Sequence, residues 1–259
     1  MASQFDLTST NTAKNKNSVS ETGHAKNVAN FQELTAFVVG FGNAYNPTKN
    51  ALKVPQLNAL LAEAQNKLTD VVAKNTSYNN AVNERVLEFG SVRELATRLV
   101  NAIQATDASA EKIRDAKGFN RKLQGKRATQ TAPTTTSTDA PAPNKISASQ
   151  QSFDQRIQHF AGLVSVLESE PSYAPNENDL KITTLSAKQA SLQAKNTAVA
   201  TAFANVSNSR IARNNTLYND TAGLVTTALE VKKYIKSVFG AASPEFAQVK
   251  GIEFKKVKS

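Results

Sequence analysis

Tyr45-Asn-Pro-Thr-Lys-Asn-Ala-Leu-Lys-Val54 and Tyr173-Ala-Pro-Asn-Glu-Asn-Asp-Leu-Lys-Ile182 are one stretch written twice, 128 positions apart (45 against 173). Proline restricts its predecessor and breaks helices, so the Tyr-x-Pro part reads as a loop. Beyond it the same offset continues: Leu57, Lys67, Thr69, Val71 and Arg85 fall on Leu185, Lys195, Thr197, Val199 and Arg213. A unit present twice sets the architecture before any motif is read.

Downstream of each loop runs a long helical pattern. The first stripe reads Leu57, Leu61, Ala64, Leu68, Val71, Asn75, Tyr78, Val82, Arg85, Phe89. The second reads Leu185, Gln189, Leu192, Asn196, Val199, Phe203, Val206, Arg210, Arg213, Leu217. Both alternate four- and three-residue steps, which is a coiled-coil-like seam, and a polar Asn75 or Asn196 inside such a seam fixes register. Pro55 stands in the first turn, where a helix tolerates it. Gly90-Ser91 and Asn219-Asp220 hold matching places; a left-handed C-cap followed by a Ser or Asp N-cap predicts a tight reversal or a kink at both. A third helix follows, with Val92, Leu95, Leu99 and Ile103 in one half and Leu224, Ala228, Val231, Ile235 and Val238 in the other. A last short element begins at Asp107 and at Ser243-Pro244-Glu245, the latter being cap, first-turn Pro and acidic first turn. Upstream, short helices are expected over 28–41 and 152–168.

The expected fold is therefore all-α, with tandem duplicated units. Long antiparallel helical hairpins would pack as a four-helix-type bundle with approximate two-fold symmetry. The expected domains are a polar, disordered arm (1–27), a first helical repeat (28–125), a Thr/Pro/Ala linker (126–148) and a second repeat (149–259).

Composition narrows the chemistry. Hydrophobic residues make up 40% of the 259, with no Trp and no Cys. The missing cysteines exclude disulfides, thiolate catalysis and Cys-held metals. No apolar run approaches bilayer length, so no transmembrane helix is expected. The N-terminus lacks a basic-then-apolar signal pattern, and the expected location is cytoplasmic. P-loop, Gly-x-Gly-x-x-Gly and Gly-x-Ser-x-Gly motifs are missing, and His24 and His159 belong to no Glu-x-x-His pair. Glu84 and Glu88, one turn apart around Arg85, read as solvated helix-face charge. The chain is accordingly expected to be no enzyme and to need no metal or cofactor.

The formal charge is +10, and part of it gathers where each half closes. Arg121, Lys122, Lys126 and Arg127 end the first, and Lys250, Lys255, Lys256 and Lys258 the second. Such clusters suit polyanions and also solvated tails. Arg85 and Arg213 repeat within the seam; each either presents an anion contact or lies along apolar surface with its head in water. Tyr45 and Tyr173, with Pro47 and Pro175, mark either a repeated binding loop or a ring packed over the helix start with a wet hydroxyl. The stretch 231–239 could lie on a membrane surface, but in this context it reads as one helix of a bundle.

From Arg213 onward, Asn214-Asn-Thr-Leu-Tyr218, Gly223-Leu-Val225, Tyr234-Ile-Lys-Ser-Val-Phe-Gly240 and Ser243-Pro-Glu resemble a group of uncharacterised bacterial all-helical proteins. The resemblance covers most of the second half; it implies a bacterial source and supplies no site residues. The leading functional expectation is a non-enzymatic scaffold or protein-interaction protein, self-assembling or with a protein partner. The alternative is a DNA- or RNA-binding protein that uses the basic closing segments.

Overall fold

The computed structural model describes residues 21–125 and 151–256. Among the described residues the secondary structure is helical, with no strand. In chain order the α-helices are α1 (Glu21–Gly40), α2 (Val54–Gly90), α3 (Val92–Gln104), α4 (Ala110–Leu123), α5 (Phe153–Glu168), α6 (Ile182–Tyr218), α7 (Leu224–Phe239) and α8 (Pro244–Lys250). Short 3-10 turns at Asn50–Leu52 and Asn178–Leu180 precede α2 and α6. These two long helices have 37 residues each. The polar arm (1–20) and the linker (126–148) lie outside the described residues.

Two compact units form, and each draws on both halves of the sequence. The first takes α1, the start of α2 to residue 73, the end of α6 from residue 208, α7 and α8. Its core joins Phe31, Leu34 and Val38 of α1 to Leu57 and Ala64, Leu217, and Val231 and Ile235 of α7. Helix α1 starts at Glu21, so residues 21–27 are not part of a polar arm. Two polar residues there, His24 and Asn27, face inward, which a search for apolar spacing cannot register. His24 Nδ1 and Tyr218 Oη share a 2.6 Å hydrogen bond. Asn27 Nδ2 donates to Lys255 O at 2.8 Å, and Lys255 N donates back to Asn27 Oδ1 at 3.1 Å. Such pairing is what makes a buried amide tolerable. Gly240, at φ 96°, closes α7, and Ser243 Oγ caps α8 by accepting from Phe246 N at 3.0 Å, as its Ser-Pro-Glu signature predicts.

The second unit holds the end of α2 from residue 74, α3, α4, α5 and the start of α6 to residue 207. Its core gathers Phe89, Leu99, Ile103, Leu123, Phe160, Leu163, Leu185 and Leu192. Ser109 and Ser152 cap α4 and α5 through their hydroxyls. Helix α5 comes so close to α4 at Gly162 that a Cβ there would lie 2.3 Å from the Phe119 ring. Within this unit α2 faces α6 antiparallel: Tyr78 meets Phe203, Glu84 meets Lys195 and Glu88 meets Lys188.

The observed pairing departs from the expected hairpins. Helices α3 and α7 run only 13 and 16 residues, too short to cover a 37-residue seam. In the second unit the seam of α2 is met by α6 instead. Nor does Gly90 adopt a left-handed cap, since the positive-φ glycines among the described residues are Gly42, Gly125 and Gly240. Ser91 is itself helical in backbone and makes no capping bond. At the other site Asn219 Oδ1 accepts from Thr221 N and Ala222 N, both at 3.0 Å, and the N-cap is Gly223, not Asp220. A side chain at Gly223 would lie 2.5 Å from the Asn219 backbone.

Candidate functional site

Both loop tyrosines are buried, and neither hydroxyl is wet. In the first unit Tyr45 Oη donates to Leu52 O at 2.8 Å. In the second Tyr173 Oη donates to Leu180 O at 2.9 Å. The acceptor in each case ends the 3-10 turn that precedes a long helix. A buried phenol needs a partner, and a turn-end carbonyl is available to supply one. Burial, helped by Glu177 and Asp179, pushes the Tyr173 phenol up to about 12. Burial and Tyr234 raise that of Tyr45 further. Neither hydroxyl can serve as a base at neutral pH.

The seam arginines differ in their surroundings. Arg85, in the second unit, donates from Nη1 to Asn196 Oδ1 at 3.0 Å, and Asn196 Nδ2 donates to Asp154 Oδ1 at 2.7 Å. Asn196 thus connects a cation to a carboxylate. The Arg85 guanidinium stands 3.9 Å over the Phe153 ring. Phe153 meets Phe89 edge-on at 4.8 Å, and Arg156 sits 5.0 Å from the Phe89 centroid while donating to Phe89 O at 2.8 Å. Cation–π contact is strongest where water is excluded. Arg213, in the first unit, is only 3% exposed and does not reach water as expected. Its Nε and Nη2 donate to Asn214 Oδ1 at 3.1 and 2.9 Å.

The basic closing residues divide by role. Arg121 and Lys122 are exposed in the last turn of α4, where cations favour the helix dipole. Lys122 Nζ stands 5.4 Å from the Phe119 ring. In the first unit Lys250, Lys255 and Lys256 have exposed side chains. Lys232 Nζ donates to Lys250 O and Ile252 O at 2.9 and 2.8 Å, Lys255 is held by Asn27 through its main chain, and Lys256 pairs with Asp220 at 2.8 Å. Lys126, Arg127 and Lys258 lie outside the described residues.

Two arginines escaped the sequence reading. Arg93 donates to Leu123 O at 3.2 Å and Gln151 Oε1 at 3.1 Å. Arg156 is held below its ordinary pKa by burial and then by Arg93. Neither is bonded to a carboxylate among the described residues. Both stand in the first turn of a helix, where the dipole disfavours a cation; that placement is the signal that could have found them.

No group of His, Asp or Glu suited to a metal ion occurs among the described residues. No described helix is long and apolar enough to cross a membrane. No family model matches the chain, and no curated protein or solved structure matches it either.

Proposed function

We propose that the chain is a non-enzymatic helical scaffold, built from two copies of one unit with approximate two-fold symmetry, that binds protein partners or its own copies. The matched tyrosine pins carry this reading. Tyr45 to Leu52 and Tyr173 to Leu180 are the same bond over the same seven-residue span, and the helices that follow begin at the same 128-residue offset (54 against 182) and have equal length. Both tyrosine hydroxyls, which chemistry could draft, are engaged in holding main chain. Leu87, 78% exposed beside an exposed Val86, offers a contact surface on α2. Cross-linking mass spectrometry in native extract tests the reading, with Leu87→Asp as control. Cross-links from this face to another protein or a second copy, lost in the variant, are expected. Catalytic turnover that maps to a surface cleft would remove the reading.

A second reading, polyanion binding, draws on Arg93 and Arg156 without carboxylate partners next to the basic end of α4. Labelled DNA and RNA oligonucleotides would then bind with steep salt dependence, and Arg121→Gln with Lys122→Gln would each lower the slope by about one. Absence of retention on DNA, RNA or heparin at low salt ends this reading.

A further inference from the structure

Each tyrosine loop is tied to the helix beside it by an ion pair, from loop positions that do not match and with the charges reversed, and the surroundings of the two rings differ. In the first unit Lys49 of the loop pairs with Glu230 of α7 at 2.6 Å. Four residues on, Tyr234 packs edge-on against Tyr45, with centroids 5.1 Å apart and planes at 88°. In the second unit Asp179 of the loop's 3-10 turn pairs with Arg98 of α3 at 2.5 Å. Four residues on stands Ala102. Buried neighbours confirm the register: Tyr234 follows Val231 and precedes Ile235, and Ala102 follows Leu99 and precedes Ile103 with the same spacing.

A methyl group therefore stands where the other unit places a phenol ring. Beside that methyl lies a cleft of about 700 Å³, open to solvent, bordered by Tyr173, Ala102, Asn101, Thr106, Asp107 and Glu177. A second cleft of about 310 Å³ shares Arg98 with it and has Leu95 and Leu185 in its lining. Arg98 lines both, so the two clefts are neighbours, and the first has room for a ring. Asp107 and Glu177 make the first cleft acidic, since Arg98 is already engaged by Asp179. An anionic ligand is disfavoured there, while main-chain amides and a phenol hydroxyl find acceptors.

We propose that the cleft over Tyr173 is a receptor for an aromatic side chain, Tyr or Phe, of a partner polypeptide. The ring would take the edge-on position that Tyr234 occupies in the first unit, a favoured aromatic geometry. This inference rests on reading the two loops as copies of one unit. It goes further in naming where a partner is held and by which chemistry.

The test follows the Ala102 methyl signal by NMR in the full chain while capped Ala-Ala-Tyr-Ala-Ala, capped Ala-Ala-Leu-Ala-Ala and p-cresol are titrated separately. The Tyr peptide should shift the signal with a dissociation constant on the order of millimolar or tighter. The Leu peptide should bind at least about tenfold more weakly, and so should p-cresol, which lacks the flanking chain. Ala102→Tyr should keep its helical circular dichroism and lose Tyr-peptide binding. No binding of the Tyr peptide, equal binding of the Leu peptide, p-cresol as tight as the peptide, or unchanged binding in Ala102→Tyr would each overturn the proposal, as would contacts from the chain's own Phe5 to the Ala102 methyl. Ala102→Phe serves if Ala102→Tyr misfolds. Tyr234→Ala separates the two readings. If it opens a p-cresol site in the first unit while the native cleft binds no peptide, the copies stand and the receptor falls; if Ala102→Tyr and Ala102→Phe both unfold the second unit, the copies fall.

Discussion

At the scale of single residues, the polar side chains are where sequence and structure part. Tyr-x-Pro announces a loop, but the acceptor seven residues on is a main-chain carbonyl, which leaves no trace in residue identity. The tyrosine hydroxyls thereby become structural. Tyr45→Phe and Tyr173→Phe should each destabilise by about 1–2 kcal/mol, because a buried carbonyl loses its donor. The pins lie in different units, so urea denaturation of the double variant should show nearly additive losses. His159 gives a pH-dependent counterpart. Burial first, and then Lys122, hold its imidazole below the ordinary value, and its Nε2 has no partner among the described residues. The unfolded chain therefore binds the proton more readily than the folded one. Stability is unaffected well above the unfolded value of about 6.5 and falls as pH drops below it. Glu88 carries the carboxylate version: its hydrogen bond to Lys188 lowers its pKa, so its contribution is lost only lower, as pH falls through the carboxylate range. Denaturation midpoints between pH 7 and 5 should fall more in the wild type than in His159→Leu.

Among the elements, one hydroxyl cap was legible: the structure places Ser243 where a Ser before a first-turn Pro and an acidic residue should stand. Ser152, by contrast, caps a helix expected to include it, and Ser109 caps α4 two residues past the expected start at Asp107. Gly90-Ser91 misled because identity alone cannot separate a helix-ending glycine from one that stays helical. Its match with Asn219-Asp220 also hid a difference, since Asn219 organises its own turn. The seam was legible as a stripe but not as a pairing; heptad spacing says which face is buried and is silent about which helix covers it. Close approach of two helices is equally invisible. Gly162 carries no sequence signal, yet its missing Cβ is what admits the Phe119 ring. Gly162→Ala should displace that ring or separate α4 from α5. By the usual cost of overpacking this destabilises by about 1–3 kcal/mol, despite the better helix propensity of Ala. Pairing it with Phe119→Leu should recover part of the loss, and a double-mutant cycle on thermal or urea unfolding measures the coupling.

For the whole molecule, the decisive fact is that the compact units do not follow the order of the sequence. The first unit takes its core from Phe31 and Leu57 early in the chain and from Leu224 and Val249 late in it. The second joins Phe89 and Leu99 to Phe160 and Leu185. Neither sequence half therefore contains a complete core, although each contains one Tyr-x-Pro loop and the long seam that follows it. Periodicity reveals the seams, and only long-range packing reveals which cores they join. The consequence is a specific expectation for a chain divided inside 126–150. Residues 1–135 and 136–259, expressed apart, should each lack the cooperative unfolding of the intact protein, because each leaves half of two cores in water. Mixed in equal amounts, they should regain native helical circular dichroism and a sharp transition. Their complex should have the mass of one intact chain, about 27.8 kDa, by light scattering. Its midpoint should now rise with concentration, since association has become bimolecular. Each half also carries one copy of the Tyr loop and seam, so the competing product is a pair of identical halves, which the mass of the separate fragments would reveal. Two halves that each unfold cooperatively as monomers would contradict shared cores.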